Sequence, residues 1–151
     1  MGVGGFIYAN QFLQISSLLP SGNIYGIGEH QDSMRHSMNW QRLTLFAHDE
    51  LPAKGKNLYG SHPFYLVMEN SGFSHGVFLK NSDPMEIILQ PAPAITFRVL
   101  GGVLDFYFFL GPTPEKVDPL FMLFLPCNKS NIMQVLQYTI YLFIIIFLFR
   151  S

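Results

Sequence analysis

Two short polar stretches hold the residue types that do chemistry in this chain. Residues 23–30, NIYGIGEH, set Gly26 and Gly28 ahead of Glu29 and His30. Residues 46–60, FAHDELPAKGKNLYG, set His48, Asp49 and Glu50 in a row. Three chemistries are open to them. The first is phosphate binding, but a dinucleotide loop needs G-x-G-x-x-G opening a helix, whose N-terminus holds the pyrophosphate. Gly26 and Gly28 lead instead into Glu29-His30-Gln31, with no third glycine and no helical period. Glycines that bend a strand, or admit a neighbouring backbone, account for them better. The second is metal binding, by His30, Asp32 and His36 or by His48, Asp49 and Glu50. Neither trio has ligand spacing such as HExxH or paired CxxC, so both read as solvated loop residues and no metal or other cofactor is expected. The third is a pair of carboxylates working as acid and base about 5–10 Å apart across a sugar ring. Glu29, Asp32, Asp49 and Glu50 all fall on polar connections, but nothing shows which carboxyl would hold a proton. Each taken alone reads as a solvated loop side chain. Asp105, alternating with apolar neighbours in VLDFYFF, reads as a strand residue with a structural hydrogen bond.

The elements that must position these residues are strands. Residues 6–8, 11–19, 23–28, 43–46, 64–70, 75–80, 85–90, 94–100 and 103–110 are short, rich in β-branched and aromatic residues, and lack a helical period. NSG at 70–72 and GG at 101–102 supply positive-φ residues for tight hairpins, and NSDP at 81–84 makes a turn. Nine such strands predict an antiparallel β-sandwich. Residues 29–42 and 47–62 are its long polar connections and carry four of the five histidines. At GPTPEKV, 111–117, Thr113 as N-cap, Pro114 at the first helical position and Glu115 in the first turn announce a helix. Pro119 predicts that it stops almost at once. The chain then turns apolar, ending in the uninterrupted block YTIYLFIIIFLF at 138–149. That block is short of the roughly 20 residues that cross a bilayer as a helix. Extending it back to Ile132 brings Gln134 and Gln137 inside.

Composition narrows the partners. With 151 residues there is room for one domain with a real core. A net charge of −1 offers no field that would gather nucleic acid or an acidic membrane surface. Charged residues are only 13% of the chain, about half the usual share, while Phe and Tyr number 15 and 7. That balance suits a β-rich core, or a piece of a larger protein whose surface is normally covered. One cysteine, Cys127, excludes an internal disulfide framework. No secretory signal opens the chain, and Phe6 stands where a myristoylation site wants Ser or Thr.

Longer stretches carry a resemblance. NIYGIGEH, RHSMNW (35–40), NLYGSHPFYLVMEN (57–70) and SHGVFLKNSDPMEIILQPAPAITFRVLGGVLDFYFFLGPTPEKV (74–117) run in order. Together they resemble the N-terminal β-sandwich of glycoside hydrolase family 31, with the nearest look to its intestinal maltase-glucoamylase and sucrase-isomaltase group. The resemblance implies a mainly β fold of the supersandwich, galactose-mutarotase-like kind. It implies a retaining α-glucosidase acting on α-linked gluco-oligosaccharides of the maltose type. Its two catalytic aspartates would lie on a (β/α)8 barrel that follows the sandwich. The nucleophile motif, roughly W-[IL]-D-M-N-E, is absent here; SMNW at 37–40 lacks its aspartate. No catalytic residue is therefore assigned. By the same resemblance, Asp49 matches a loop aspartate that reaches the barrel mouth and holds the sugar of the outermost subsite. An ionised carboxylate there accepts hydrogen bonds from hydroxyls and orients the ring. Glu50 is a weaker candidate beside it, and Trp40 is a candidate for stacking on a sugar face. Glu29, His30, Arg35, His36 and Asn39 match family-typical positions that hold loops and sandwich together.

The expectation is a family 31 N-terminal domain over 5–117 and a non-family hydrophobic tail over 118–151, of the kind read-through produces. The chain alone is expected to hydrolyse nothing. Two alternatives are a stand-alone module with weak sugar affinity and a membrane-anchored, inactive fragment using residues 132–149. The relatives implied are extracellular and apical-membrane-attached; the chain's own residues assign no location.

Overall fold

A computed structural model describes residues 5–49 and 51–124, apart from the side chains of Asp118 and residues 122–124. Glu50 and the apolar stretch 132–149 lie outside the described residues. Nine strands precede one helix: β1 (Ile7–Ala9), β2 (Phe12–Leu18), β3 (Ile24–His30), β4 (Gln41–Leu45), β5 (Asn57–Met68), β6 (Ser74–Lys80), β7 (Met85–Gln90), β8 (Ala94–Val99), β9 (Asp105–Gly111) and α1 (Pro114–Phe124). Every pairing between strands is antiparallel. The strands make two sheets, one in the order β1-β2-β8-β7-β4 and the other β3-β5-β6-β9. The expected antiparallel β-sandwich is present.

Alternation along the strands assigns every face. Leu43, Leu45, Ile87, Leu89, Ile95, Phe97 and Val99 of the five-stranded sheet meet Tyr65, Val67, Val77 and Leu79 of the other in one buried core. The outer face of the five-stranded sheet is polar. Arg98 donates to Gln14 (2.8 Å) and to Glu86 (3.1 Å), and Ser16 and Thr96 share a hydrogen bond of 2.7 Å. The four-stranded sheet is apolar on both faces. Its outer residues Tyr25, Phe64, Leu66 and Phe109 pack under Val117 and Phe121 of α1. The second apolar face of this sheet accounts for Phe64, Phe78, Phe109 and Phe121, while Phe6, Phe46, Phe73 and Phe108 are exposed.

Three expectations are corrected. The helix does not stop at Pro119, which lies inside α1. Proline removes one backbone donor there, but Phe121, one turn of helix beyond Val117, is 1% exposed. Its ring stacks on Phe64 at 4.0 Å, and this burial holds the second half of the helix down. β5 begins at Asn57 rather than at 64, so residues 57–62 are strand and the connection shrinks to 46–56. Pro63 is tolerated because it sits where the β3–β5 register slips, between the pairs Gly26–Tyr65 and Gly28–His62. The ladder from β5 to β6 begins only at Phe64. β3 in turn runs on to His30, which places Glu29 and His30 on a strand and not on a loop.

Candidate functional site

The two glycines of NIYGIGEH do backbone work. Gly26 has φ +96, and a Cβ built on it would lie 2.7 Å from the carbonyl oxygen of Phe64. Only glycine fits so close a strand crossing at that φ. The irregular register that follows turns the end of β3 toward its neighbours, and the polar residues there are consumed in holding it. His30 is buried, its Nε2 facing the carbonyl of Thr44 at 2.9 Å and its Nδ1 that of Ile27 at 3.2 Å. Glu29 accepts from the backbone N–H of Gly60 at 2.9 Å, joining β3 to β5. His36 is buried too, and its Nε2–H donates to the carbonyl of Gly26 at 2.6 Å. Burial lowers the His36 pKa below its usual value, against the opposing pull of that hydrogen bond and of Asp32. His62 is lowered in the same way by burial, with Glu29 opposing. Asp105 accepts from the Tyr107 hydroxyl at 2.9 Å, the structural hydrogen bond expected of it.

The connection 31–40 is pinned by a residue that sequence reasoning passed over. Gln41 donates through Nε2 to Asp32 (3.1 Å) and accepts through Oε1 from the Ser37 N–H (2.7 Å). Nothing in the sequence singles out one glutamine for this. Its role depends on the connection folding back, as it does where Arg35 bridges to Tyr25. Among the described residues, no group of three His, Cys, Asp or Glu side chains is gathered.

Asp49 is exposed on the connection 46–56. The stem of that loop is tied at both sides. The His48 N–H donates to Leu58 O at 3.4 Å, and Lys54 bridges to Gln31 beyond the end of β3. Asp49 thus stands at the end of the sandwich where β3 and β4 finish and β5 begins. Trp40 is also exposed, at 61%, but it precedes β4 and its N–H donates to Met38 O. Met38 packs beside Gly22, ahead of β3. The two candidates therefore occupy opposite ends of β4. Six residue steps of strand between Trp40 and Phe46 come to roughly 20 Å. Asp49 and Trp40 are not brought together, and one sugar ring would not touch both.

Comparison with known proteins agrees with this architecture. The family model for the glycosyl hydrolase 31 N-terminal galactose mutarotase-like domain matches residues 9–87. The chain is 54% identical over 115 residues to the lysosomal alpha-glucosidase of Mus musculus, a match spanning 76% of this chain and 12% of that protein. It is 54% identical over 114 residues to the probable maltase-glucoamylase 2 of Homo sapiens, spanning 75% of this chain and 4% of that protein. The similarity therefore extends beyond intestinal-type members to a lysosomal one. Among solved structures, the cycloalternan-degrading enzyme from Trueperella pyogenes in complex with isomaltose superposes with a TM-score of 0.62 at 17% identity. That match covers 81% of this chain and 20% of that one, and it speaks for the fold. The chain spans about an eighth or less of the curated relatives it matches here. This chain belongs to the glycosyl hydrolase 31 N-terminal, galactose mutarotase-like domain family.

Proposed function

We propose that this domain is a non-catalytic, carbohydrate-contacting part of an α-glucosidase that acts on α-linked gluco-oligosaccharides, and that by itself it is inactive. Its contribution to substrate is Asp49. The observation carrying the reading is that loop 46–56 holds this carboxylate in solvent while its stem is bound to β3 and β5. A carboxylate held out on a braced loop suits bidentate acceptance from two sugar hydroxyls, which orients a ring without reacting with it. The chemistry falls to a partner, the (β/α)8 barrel, which supplies the two aspartates this chain does not encode. Family sequence extends over 5–117 in this reading, and 118–151 is a departure from it.

Two measurements test the reading. The purified 151-residue chain incubated with maltose should release no glucose; enzyme-dependent release sinks the inactive assignment. An NMR titration with maltose should move the Asp49 amide, with affinity on the order of millimolar for a single polar contact. An unmoved Asp49 amide at saturating sugar refutes the contact.

A further inference from the structure

The two sheets of the sandwich are offset. At one side β3 faces β4, where His30 Nε2 meets the Thr44 carbonyl at 2.9 Å. At the other, β9 faces β8, and the rings of Phe106 and Phe97 meet edge-on at 5.5 Å. Beyond β8 the longer sheet continues into β2 and β1, while among the described residues β9 ends the shorter one. No described strand therefore lies across from β2 and β1, and their inner face shows it. Ile15 reaches the core, Leu13 on the same face is half-buried, and Tyr8, paired with Leu13, is 75% exposed. β9 has the same character. Phe106 packs on the core, but Phe108 and Leu110 on the same face are 67% and 75% exposed. Its ladder to β6 runs unbroken from Asp105 to Gly111, and no Lys, Arg or Pro blunts the strand. Natural sheets rarely leave so long and apolar an edge bare.

We propose that residues 138–149, YTIYLFIIIFLF, add to the shorter sheet as a strand beside β9 and cover Phe108, Leu110 and Tyr8. Three observations choose this occupant. The block has no charge, Gly or Pro and consists of aromatic, β-branched and leucine residues, the composition of a buried strand. The chain already passes close by. α1 lies across β9 and β6, with Phe121 5.5 Å from Phe109 and 5.6 Å from Phe78. Residues 125–137, which lead from α1 to the block, reach about 40 Å when extended, and neighbouring strands are only about 5 Å apart. A second copy fits worse. Pairing its β9 antiparallel to this one would set its β2 across from this β9, where β8 already lies. A lone strand carries no such overhang, and its backbone supplies the partners that the open edge lacks. The pairing uses nothing of Asp49 and stands if the sugar contact fails.

Hydrogen exchange on the full 151-residue chain tests the pairing. Amides along a strand alternate between its two neighbours. With the block in place every amide from Phe106 to Leu110 should exchange slowly; rapid exchange at every second one overturns the proposal. In a mixture of labelled and unlabelled chain, isotope-filtered NOEs should join the Phe108 ring to methyl groups of 138–149 within one molecule. Contacts found only between molecules mean a second copy supplies the strand, and these, or no contacts, overturn it too. Prolines at both Ile144 and Ile145 remove a ladder donor whichever way the new strand's amides alternate. That double variant should lose protection at alternate β9 amides and keep it in β5 and β7. Protection of β9 that survives both prolines overturns the pairing, and the NOEs of the parent chain decide the matter if the variant does not fold.

Discussion

Replacing Phe121 with alanine asks whether the second half of α1 belongs to the domain. Its ring is 1% exposed and stacks on Phe64 at 4.0 Å with 15° between planes. It meets Phe109 edge-on at 5.5 Å and Phe78 at 5.6 Å. Those three partners lie on β5, β9 and β6, so one side chain spans three strands of the four-stranded sheet. Truncating a buried Phe costs about 3–5 kcal/mol, from lost transfer energy and the cavity left behind. A domain of this size is stable by only about 5–15 kcal/mol, so the loss would be a large part of the whole. With a urea m-value of about 2 kcal/mol/M, the midpoint should fall by about 2 M. Far-UV circular dichroism across a urea series measures it. Phe121→Leu, which keeps most of the volume, should fall between parent and alanine and remain measurable if the alanine variant unfolds. Leu120→Ala is the control, because Leu120 is 44% exposed and should move the midpoint little. If Phe121→Ala shifts the midpoint no further than Leu120→Ala, the helix past Pro119 is not packed as described and the outer core is misassigned.

The pH response has a definite sign. Burial lowers the pKa of both His36 and His62 below 6.5 in the fold, so each takes up a proton when the chain unfolds. Their contribution is fully present above pH 6.5 and is lost as pH falls from there toward the folded values. Urea midpoints at pH 7.5, 6.5 and 5.5 should decline in that order, and His62→Gln should flatten the decline; a midpoint that rises on acidification contradicts the burial of these imidazoles. Two glycines should separate strain from collision. Gly55→Ala, at φ +77 with nothing within 4 Å of the new methyl, should cost about 1 kcal/mol. Gly26→Ala adds a 2.7 Å approach to the Phe64 carbonyl and should cost several times more, read as the difference between the two melting curves.

Fold class was legible in the residues because strand signals are local. Period-two alternation, aromatic and β-branched runs and glycine turns located all nine strands, although residues 57–62 of β5 read as part of a connection. The order of strands within the sheets was not legible, since pairing β2 with β8 and β4 with β7 joins residues far apart in sequence. The errors sit where long-range contacts outweigh local preference. A proline in β5 is harmless only because the register slips beside it, and a proline in α1 only because Phe121 finds Phe64. Neither compensation is written next to the proline.

The same division holds for the candidate sites. The residue string by itself identified the family, supplied Asp49, Glu50 and Trp40 as sugar-contact candidates, and showed that the nucleophile motif is missing. Only the tertiary structure decided how such residues are used. Glu29, His30 and His36 are spent on backbone partners inside the fold, because a buried polar group must find a hydrogen bond or carry the cost of desolvation. Asp49 and Trp40, nine positions apart, are exposed at opposite ends of one strand, because an extended chain carries its flanks apart by about 3.3 Å per residue.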